Sequence, residues 1–281
     1  MIAIHMTESA APVVLVDLPY AERQLIVVVS DAVVAAEREA KRGDSGTSLE
    51  EIAVAASMMS QVAGRVAVLA VETARAAGRA RRDGVDVLTV SSTEAASLTF
   101  PLGHPRPKVL YVGHPAVPTT YYAAAGFHHH TFEHKFVEAV GLVMALGATQ
   151  LEVEHVKGWS SELAADLAVP VDMKGSEARV DTKRSRSRGS SALFKATLKG
   201  NANPTLPAGL VWFPHEPTWQ QVAEGRLEYG LTQFQLSVRY EDDYGIDAGL
   251  KVKAGKAGLD LGGSFQEHES TVWRIEGKFA E

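Results

Sequence analysis

Residues 107–157 read PKVLYVGHPAVPTTYYAAAGFHHHTFEHKFVEAVGLVMALGATQLEVEHVK, and this stretch decides the predicted fold. The apolar run 109–112 predicts a strand, the histidine-bearing run after it predicts a helix, and 151–156 predicts a second strand. A strand, a helix and a strand joined by connections of this length favour parallel pairing through a right-handed crossover. We therefore expect the two strands to lie in one sheet.

The sequence before this stretch predicts mainly helices. Pro19 begins a predicted helix that extends to about Arg42, although its LIVVV core also fits a buried strand. A capping box of Ser48 and Glu51 predicts an alanine-rich helix that ends near Arg82. Two strands and a short helix complete this half, at 13–18, 85–90 and 91–96.

The sequence after this stretch changes to a period of two, which is typical of strands with one apolar face. It predicts a hairpin over 176–199, a proline-rich connector in which GLVWF also fits a short strand, and one amphipathic helix over 218–227. An antiparallel meander of four strands follows, at 231–240, 246–254, 259–265 and 271–279. The predicted class is α+β, with a helical and α/β region at 1–172 and an antiparallel β region at 173–281.

Composition limits the classes of function. A hydrophobic content of 46% is typical of a globular protein, and a net charge of −6 argues against a general nucleic-acid coat. Because there is no cysteine, disulfides, thiol nucleophiles and Cys-ligated metals are excluded, and a metal site must use His, Asp and Glu. The N-terminus has no secretory signal pattern, so we expect a cytoplasmic protein. Polar residues interrupt the apolar run 52–74, so we expect no transmembrane helix.

The pentapeptide HTFEH at 130–134 is the strongest catalytic motif. His130 and His134 are one helical turn apart and can share a metal ion, while Glu133 can activate a bound water molecule. The motif resembles the HxxEH signature of inverted zincin metallopeptidases, over these five residues only. That resemblance implies Glu133 as the catalytic residue, and zinc or another divalent metal held by His130, His134 and a distant glutamate, Glu216 or Glu224.

A helical projection of this segment supports a second interpretation. Phe132 and Phe136 lie on the apolar side, whereas His130 and His134 fall nearly opposite, at 100° per residue. The two histidines are therefore predicted to face solvent or a partner. Glu133 lies at the margin of the apolar side, where we expect a buried ion pair or hydrogen bond.

A second candidate site follows the strand 109–112. His114, Tyr121, Tyr122 and His128 come near its carboxyl end, where α/β folds place ligands, so we predict a ligand or partner contact there. The alternative is a proline-braced loop with packed tyrosines. No nucleotide-binding loop or serine nucleophile motif lies beside these residues.

The basic run at the predicted hairpin turn is a third candidate. Lys183, Arg184, Arg186 and Arg188 are predicted to contact phosphate groups of anionic lipid or nucleic acid, the alternative being a solvated turn.

The predicted meander allows a sharper hypothesis. Alternating strands of about 9 to 11 residues are long enough to cross a bilayer when several chains assemble. The alternative is a sheet that packs its apolar face on Trp212, Trp219 and the helices.

Two functions follow from these observations. The first is a non-enzymatic intracellular protein that binds partners or forms homo-oligomers, in its specific version a conditional, pore-forming effector that acts through β-hairpins on membranes or partners. The second is a His/Glu metal-dependent hydrolase centred on the HxxEH helix.

Overall fold

The structure, a computed structural model, describes residues 15–42, 51, 54, 58, 61–159 and 192–280. These residues form seven α-helices and two four-stranded sheets, which confirms the predicted α+β class. The predicted boundary between residues 172 and 173 lies outside the described residues and stays a prediction. Contacts divide the chain into two units, which we call unit 1 (Met1–Ala125 and Leu250–Ser264) and unit 2 (Gly126–Gly249 and Phe265–Glu281).

Unit 1 contains a mixed sheet. Its elements before residue 126 are α1 (Tyr20–Arg23), β1 (Leu25–Val29), α2 (Asp31–Arg42), α3 (Gln61–Arg82), β2 (Val87–Ser91), α4 (Ser92–Ala95), β3 (Tyr111–Gly113) and β4 (Tyr121–Ala123). The strand order is β2-β1-β3-β4, with β1 and β2 parallel and the other pairs antiparallel.

The LIVVV run forms the central strand β1, so the prediction of one continuous helix from Pro19 to Arg42 is wrong. β-branched side chains pack well on a pleated surface, and four of the five β1 residues are buried. The predicted strand at 85–90 and the end of the long helix at Arg82 are confirmed. The predicted strand at 13–18 is wrong over its described residues, because Leu15–Asp17 form a 3-10 helix. Ser48 of the predicted capping box lies outside the described residues. Neither α3 nor another helix within the described ranges is long and apolar enough to cross a membrane.

The expected parallel pairing across the histidine-bearing helix is wrong. Strand β3 lies in the unit 1 sheet, and the strand after the helix, β5 (Ala148–Lys157), lies in the other sheet. The reason is local, because β3 is only three residues long and the short connection to β4 allows antiparallel pairing within residues 111–123. Among the described strands, β1 and β2 pair in parallel, and α2 and α3 lie between them in the chain.

Unit 2 contains an antiparallel sheet with the order β6-β5-β8-β7. Its elements are α5 (Phe127–Ala145), β5, β6 (Ala192–Thr197), α6 (Pro217–Tyr229), β7 (Gln233–Tyr240) and β8 (Thr271–Phe279). One face of the sheet is apolar, and Trp273 on it packs edge to face against Phe132 and Phe136 of α5, at 4.9 and 5.0 Å between ring centroids. The predicted strands at 151–156, 231–240 and 271–279 and the predicted helix at 218–227 are confirmed.

The prediction of the two middle strands of the meander is wrong. Residues Ala248–Ala257 form helix α7, and residues 259–265 contribute only a single parallel bridge between Val109 and Asp260. Alanine, leucine and lysine are strong helix formers, and Leu250, Ala254 and Ala257 are buried at helical spacing. The GLVWF run forms no strand, since residues Phe213–His215 are a 3-10 helix. Of the predicted hairpin at 176–199, the second strand is present as β6, and the first lies outside the described residues.

Candidate functional site: the histidine-bearing helix

Helix α5 presents His130 and Glu133 together at its surface. The side chains are 47% and 46% exposed, and His130 Nδ1 lies 3.4 Å from Glu133 Oε2. The expected buried partner of Glu133 is therefore wrong, because this carboxylate lies at the solvent-facing margin of the helix. The pair is a surface contact between residues three positions apart, which contributes little to stability.

His134 is covered, in contrast to His130. Trp212 Nε1 donates a hydrogen bond of 2.9 Å to His134 Nδ1. Burial lowers the pKa of His134, and the neighbouring Glu138 carboxylate opposes that shift. The prediction that both histidines face solvent thus describes His130 only.

Glu138 fixes the segment that covers His134. Its two carboxylate oxygens accept the backbone N–H groups of Val211, Trp212 and Phe213, each at 2.8 Å. Three successive N–H donors around one carboxylate form a charge-assisted clamp. The polar side of α5 at this level is therefore an internal packing surface of unit 2.

Glu216, the predicted third metal ligand, has a different partner. Its carboxylate forms an ion pair with Lys135, whose ammonium group is buried and lies 5.1 Å from the ring centre of Trp212. The structure does not bring His130, His134 and Glu216 into one group. Among the described residues, no set of three or more His, Asp or Glu side chains could hold a metal ion. The donor set does not fit the zinc site that the HxxEH resemblance implies.

His114, Tyr121 and Tyr122 are brought together in unit 1. His114 is fully buried, and its Nδ1 accepts the backbone N–H groups of Ala116 and Val117 at 3.0 and 2.9 Å. The ring of Tyr122 lies edge-on to His114, with 6.1 Å between centroids. His114 therefore orders its own loop, as the proline-braced alternative predicts, while His128 belongs to unit 2.

Arg23 is a buried group of this loop that the sequence analysis missed. Its guanidinium donates to the carbonyl oxygen of His114 at 3.3 Å and lies over the ring of Tyr20, while the Tyr121 hydroxyl donates to its carbonyl oxygen at 2.9 Å. Burial raises the pKa of Tyr121, and the charge of Arg23 opposes that shift. No pattern marks Arg23, because its neighbours Tyr121 and His114 are about ninety or more positions away in the chain.

His128 is fully buried inside unit 2. The Ile246 carbonyl oxygen lies 2.7 Å from Nε2, so Nε2 carries the hydrogen atom, and Nδ1 accepts from the Tyr240 hydroxyl at 2.8 Å. The ring of His268 lies edge-on at 5.2 Å. Burial lowers the pKa of His128, so the neutral imidazole is favoured. These contacts give His128 a structural role.

Trp159 belongs to an aromatic cluster that the sequence analysis also missed. Its ring lies 4.5 Å from His129 and 5.7 Å from Tyr240, and its backbone is fixed by Thr271 Oγ1 and by Trp273 Nε1. The sequence signal was an aromatic residue two positions after the end of an alternating strand. The basic residues Lys183, Arg184, Arg186 and Arg188 lie outside the described residues, so their predicted contact with phosphate groups of lipid or nucleic acid stays a prediction.

The segment Leu250–Ser264 is attached to unit 1 by backbone hydrogen bonds. Leu110 donates to the carbonyl oxygen of Asp260, and Asp260 donates to that of Lys108, both at 2.8 Å. Ala125 donates to Leu261 at 2.8 Å, and the guanidinium of Arg79 donates to the carbonyl oxygen of Ala257 at 2.9 Å. A few polar contacts and the apolar side of α7 hold this segment in place.

A polar pocket of about 250 Å³ lies beside β2 in unit 1. Typical small-molecule sites are larger, about 300 to 1,000 Å³, and mostly apolar. Arg81 lines this pocket and already donates to the Val87 carbonyl oxygen and to Thr89 Oγ1, so it pairs with β2 itself.

Comparison of the chain with models of protein families, with curated proteins and with solved structures finds no match.

Proposed function

We propose that this protein is a non-enzymatic effector that self-assembles on lipid membranes and permeabilises them. The observation that carries the proposal is a conflict between sequence pattern and structure at α7. Apolar residues occupy alternate positions from Ile246 to Ala254, which is a strand pattern, yet residues Ala248–Ala257 are helical. Val252 is consequently 53% exposed.

Such a conflict points to a second conformation. In α7 the helix propensity of alanine, leucine and lysine agrees with the observed helix, whereas the alternation of apolar residues fits a strand. Signals that disagree in this way are concentrated at functional or strained sites. In a helix the alternating apolar residues point to several sides, whereas in a strand they would share one face. The sequence of this segment therefore suits a strand that meets an apolar phase on one side.

The hydrolase hypothesis lacks a comparable observation. Glu216 is held by Lys135, and His134 accepts from Trp212. Each of these contacts has an evident packing role, so these residues give a hydrolase no support.

Anionic membranes are the proposed target. The predicted basic run Lys183, Arg184, Arg186 and Arg188 supplies attraction to acidic headgroups, although it lies outside the described residues. Assembly of several copies is part of the proposal, because a strand in lipid must pair all its backbone groups with neighbouring strands.

The test is release of a trapped dye from vesicles of phosphatidylcholine with or without phosphatidylserine, by the full chain alone, with cell lysate, or after limited proteolysis. We expect release from the acidic vesicles, with light scattering showing oligomers on the membrane. A charge-neutral variant of the basic run serves as control and should release more slowly. Intact vesicles under all three conditions would refute the proposed function.

A further inference from the structure

The pairing register of β7 and β8 indicates how the residues between these strands would pair if both strands were extended. Phe234 lies opposite Gly277, Val238 opposite Trp273 and Tyr240 opposite Thr271, with no bulge along the ladder. Continuing this register through residues 241–270 places Ile246 opposite Phe265 and Leu250 opposite Leu261. The last pair is then Ala254 with Ala257, and two residues, Gly255 and Lys256, remain between them.

Gly255 and Lys256 fit a two-residue β-hairpin loop. Two-residue loops are the commonest hairpin connections, and their type II′ form requires glycine at the first central position, which Gly255 provides. The residues that flank such a loop must form a hydrogen-bonded pair. Phe279 donates to Thr232 at 2.9 Å, and since hydrogen-bonded pairs recur at every second residue of an antiparallel ladder, the Ala254–Ala257 pair falls in the same series.

The two limbs of this continued hairpin have matching faces. On one face every residue is apolar or glycine: Ile246, Ala248, Leu250, Val252, Ala254, Ala257, Leu259, Leu261, Gly263 and Phe265. On the other face every residue is polar, charged or glycine: Asp247, Gly249, Lys251, Lys253, Gly258, Asp260, Gly262 and Ser264. A shift of one residue in either limb would destroy this agreement.

The length of the apolar part fits a membrane. Each limb has nine residues between 246 and 254 or between 257 and 265, which extends to about 30 Å. A bilayer core is about 30 Å thick, and transmembrane strands have about 9 to 11 residues. Tyr244, Glu267 and Glu269 follow at the base of the hairpin, where aromatic and charged side chains suit the headgroup region.

We propose, resting on the permeabilising function above, that residues 250–264 leave unit 1 and that residues 241–270 continue β7 and β8 as one hairpin with its turn at Gly255–Lys256. The hydrogen bond from His128 to the Ile246 carbonyl oxygen is given up in this change. The apolar face of that hairpin contacts the acyl chains of the bilayer, and its polar face contacts water. Helix α7 and the backbone bonds of Leu110, Asp260 and Ala125 are the stored form of the same segment. The partner is a lipid bilayer.

The first test uses two neighbouring residues that are both exposed in helix α7, Val252 and Lys253. Val252→Asp and Lys253→Asp should therefore leave the stored fold and its melting temperature unchanged. In the hairpin Val252 faces lipid and Lys253 faces water, so V252D should slow dye release by about tenfold or more and K253D by less than about threefold. Equal effects of the two substitutions would overturn the assignment of the faces.

The second test locks the stored form. The Ala125 Cβ atom lies 3.6 Å from the Cβ position that a side chain at Gly263 would have, within the range of disulfides. Because the chain has no native cysteine, A125C/G263C introduces one defined bond. The oxidised protein should release no dye, and adding reductant to the same sample should restore release.

The outcomes separate the two proposals. If the unaltered protein, V252D and the oxidised lock all release dye at the same rate, the hairpin is refuted and the permeabilising function stays in place. No release by the unaltered protein would remove both. Slow release by V252D and no release by the oxidised lock, with near-normal release by K253D and by the reduced lock, support the hairpin.

Discussion

Replacing Glu138 with glutamine is expected to destabilise unit 2 by about 3 kcal/mol. The carboxylate accepts three backbone N–H groups at 2.8 Å, two on Oε1 and one on Oε2. Glutamine has one acceptor oxygen, which can still accept the N–H groups of Trp212 and Phe213, but these two hydrogen bonds are then no longer charge-assisted. The amide N–H₂ group faces the N–H donor of Val211 and cannot accept it. Each charge-assisted bond contributes about 1.5 to 3 kcal/mol and a neutral one about 1 kcal/mol, and the partly buried site reduces the total loss to about 3 kcal/mol.

Guanidinium chloride unfolding followed by tryptophan fluorescence measures this change directly, because Trp212 lies in the clamped segment. The matched control is Glu133→Gln on the same helix, where the carboxylate is 46% exposed and its contact is a surface one. That variant should stay within about 0.5 kcal/mol of the unaltered protein. Equal stability of the Glu138 and Glu133 variants would refute the clamp.

Three further predictions concern single residues. Gly255→Ala should stabilise α7 by up to about 1 kcal/mol through its higher helix propensity, because a Cβ atom there meets open space, and the melting temperature should rise accordingly. The same substitution should slow dye release, because the hairpin turn needs a positive φ at this position. Burial, with carboxylates nearby, raises the pKa of Tyr244 to about 12. The neutral Tyr244 hydroxyl therefore contributes fully to the free energy of unfolding below about pH 10, and this contribution is lost as pH rises toward 12. Tyr244→Phe should reduce that loss in unfolding curves measured at alkaline pH. Burial lowers the pKa of His128, so its contribution to the free energy of unfolding is present above about pH 6.5 and lost as pH falls below it. His128→Asn should therefore flatten the acid limb of the stability curve.

Strands that bury one face against helices of the same unit could be predicted from the sequence. In β7 the alternation of Phe234, Leu236 and Val238 with polar residues matches the observed burial, because one face packs in the core and the other faces outward with polar side chains. Alternation failed at 248–257, since small residues such as Ala254 satisfy helical and strand spacing equally. There the helix is selected by contacts with residues of unit 1, such as Arg79, which are distant in the chain.

The candidate site was predictable only in its local part. Residues 130–134 are helical as the pentapeptide indicates, and His130 is exposed as its projection indicates. The donor to His134 is Trp212, 78 positions away, and the partner of Glu216 is Lys135. Periodicity reports which side of a helix is apolar, and it carries no information about which connector covers the polar side.

The division of unit 1 into two stretches of chain has a consequence for biosynthesis. Residues 250–264 leave the ribosome after β5, β6 and β7, so unit 1 lacks its last component until most of the other unit has been made. Until then the N–H groups of Leu110 and Ala125 lack the carbonyl partners that they have in the finished fold. A nascent chain halted before residue 250 would carry an unfinished unit 1, and docking of the last segment would be a late event in maturation.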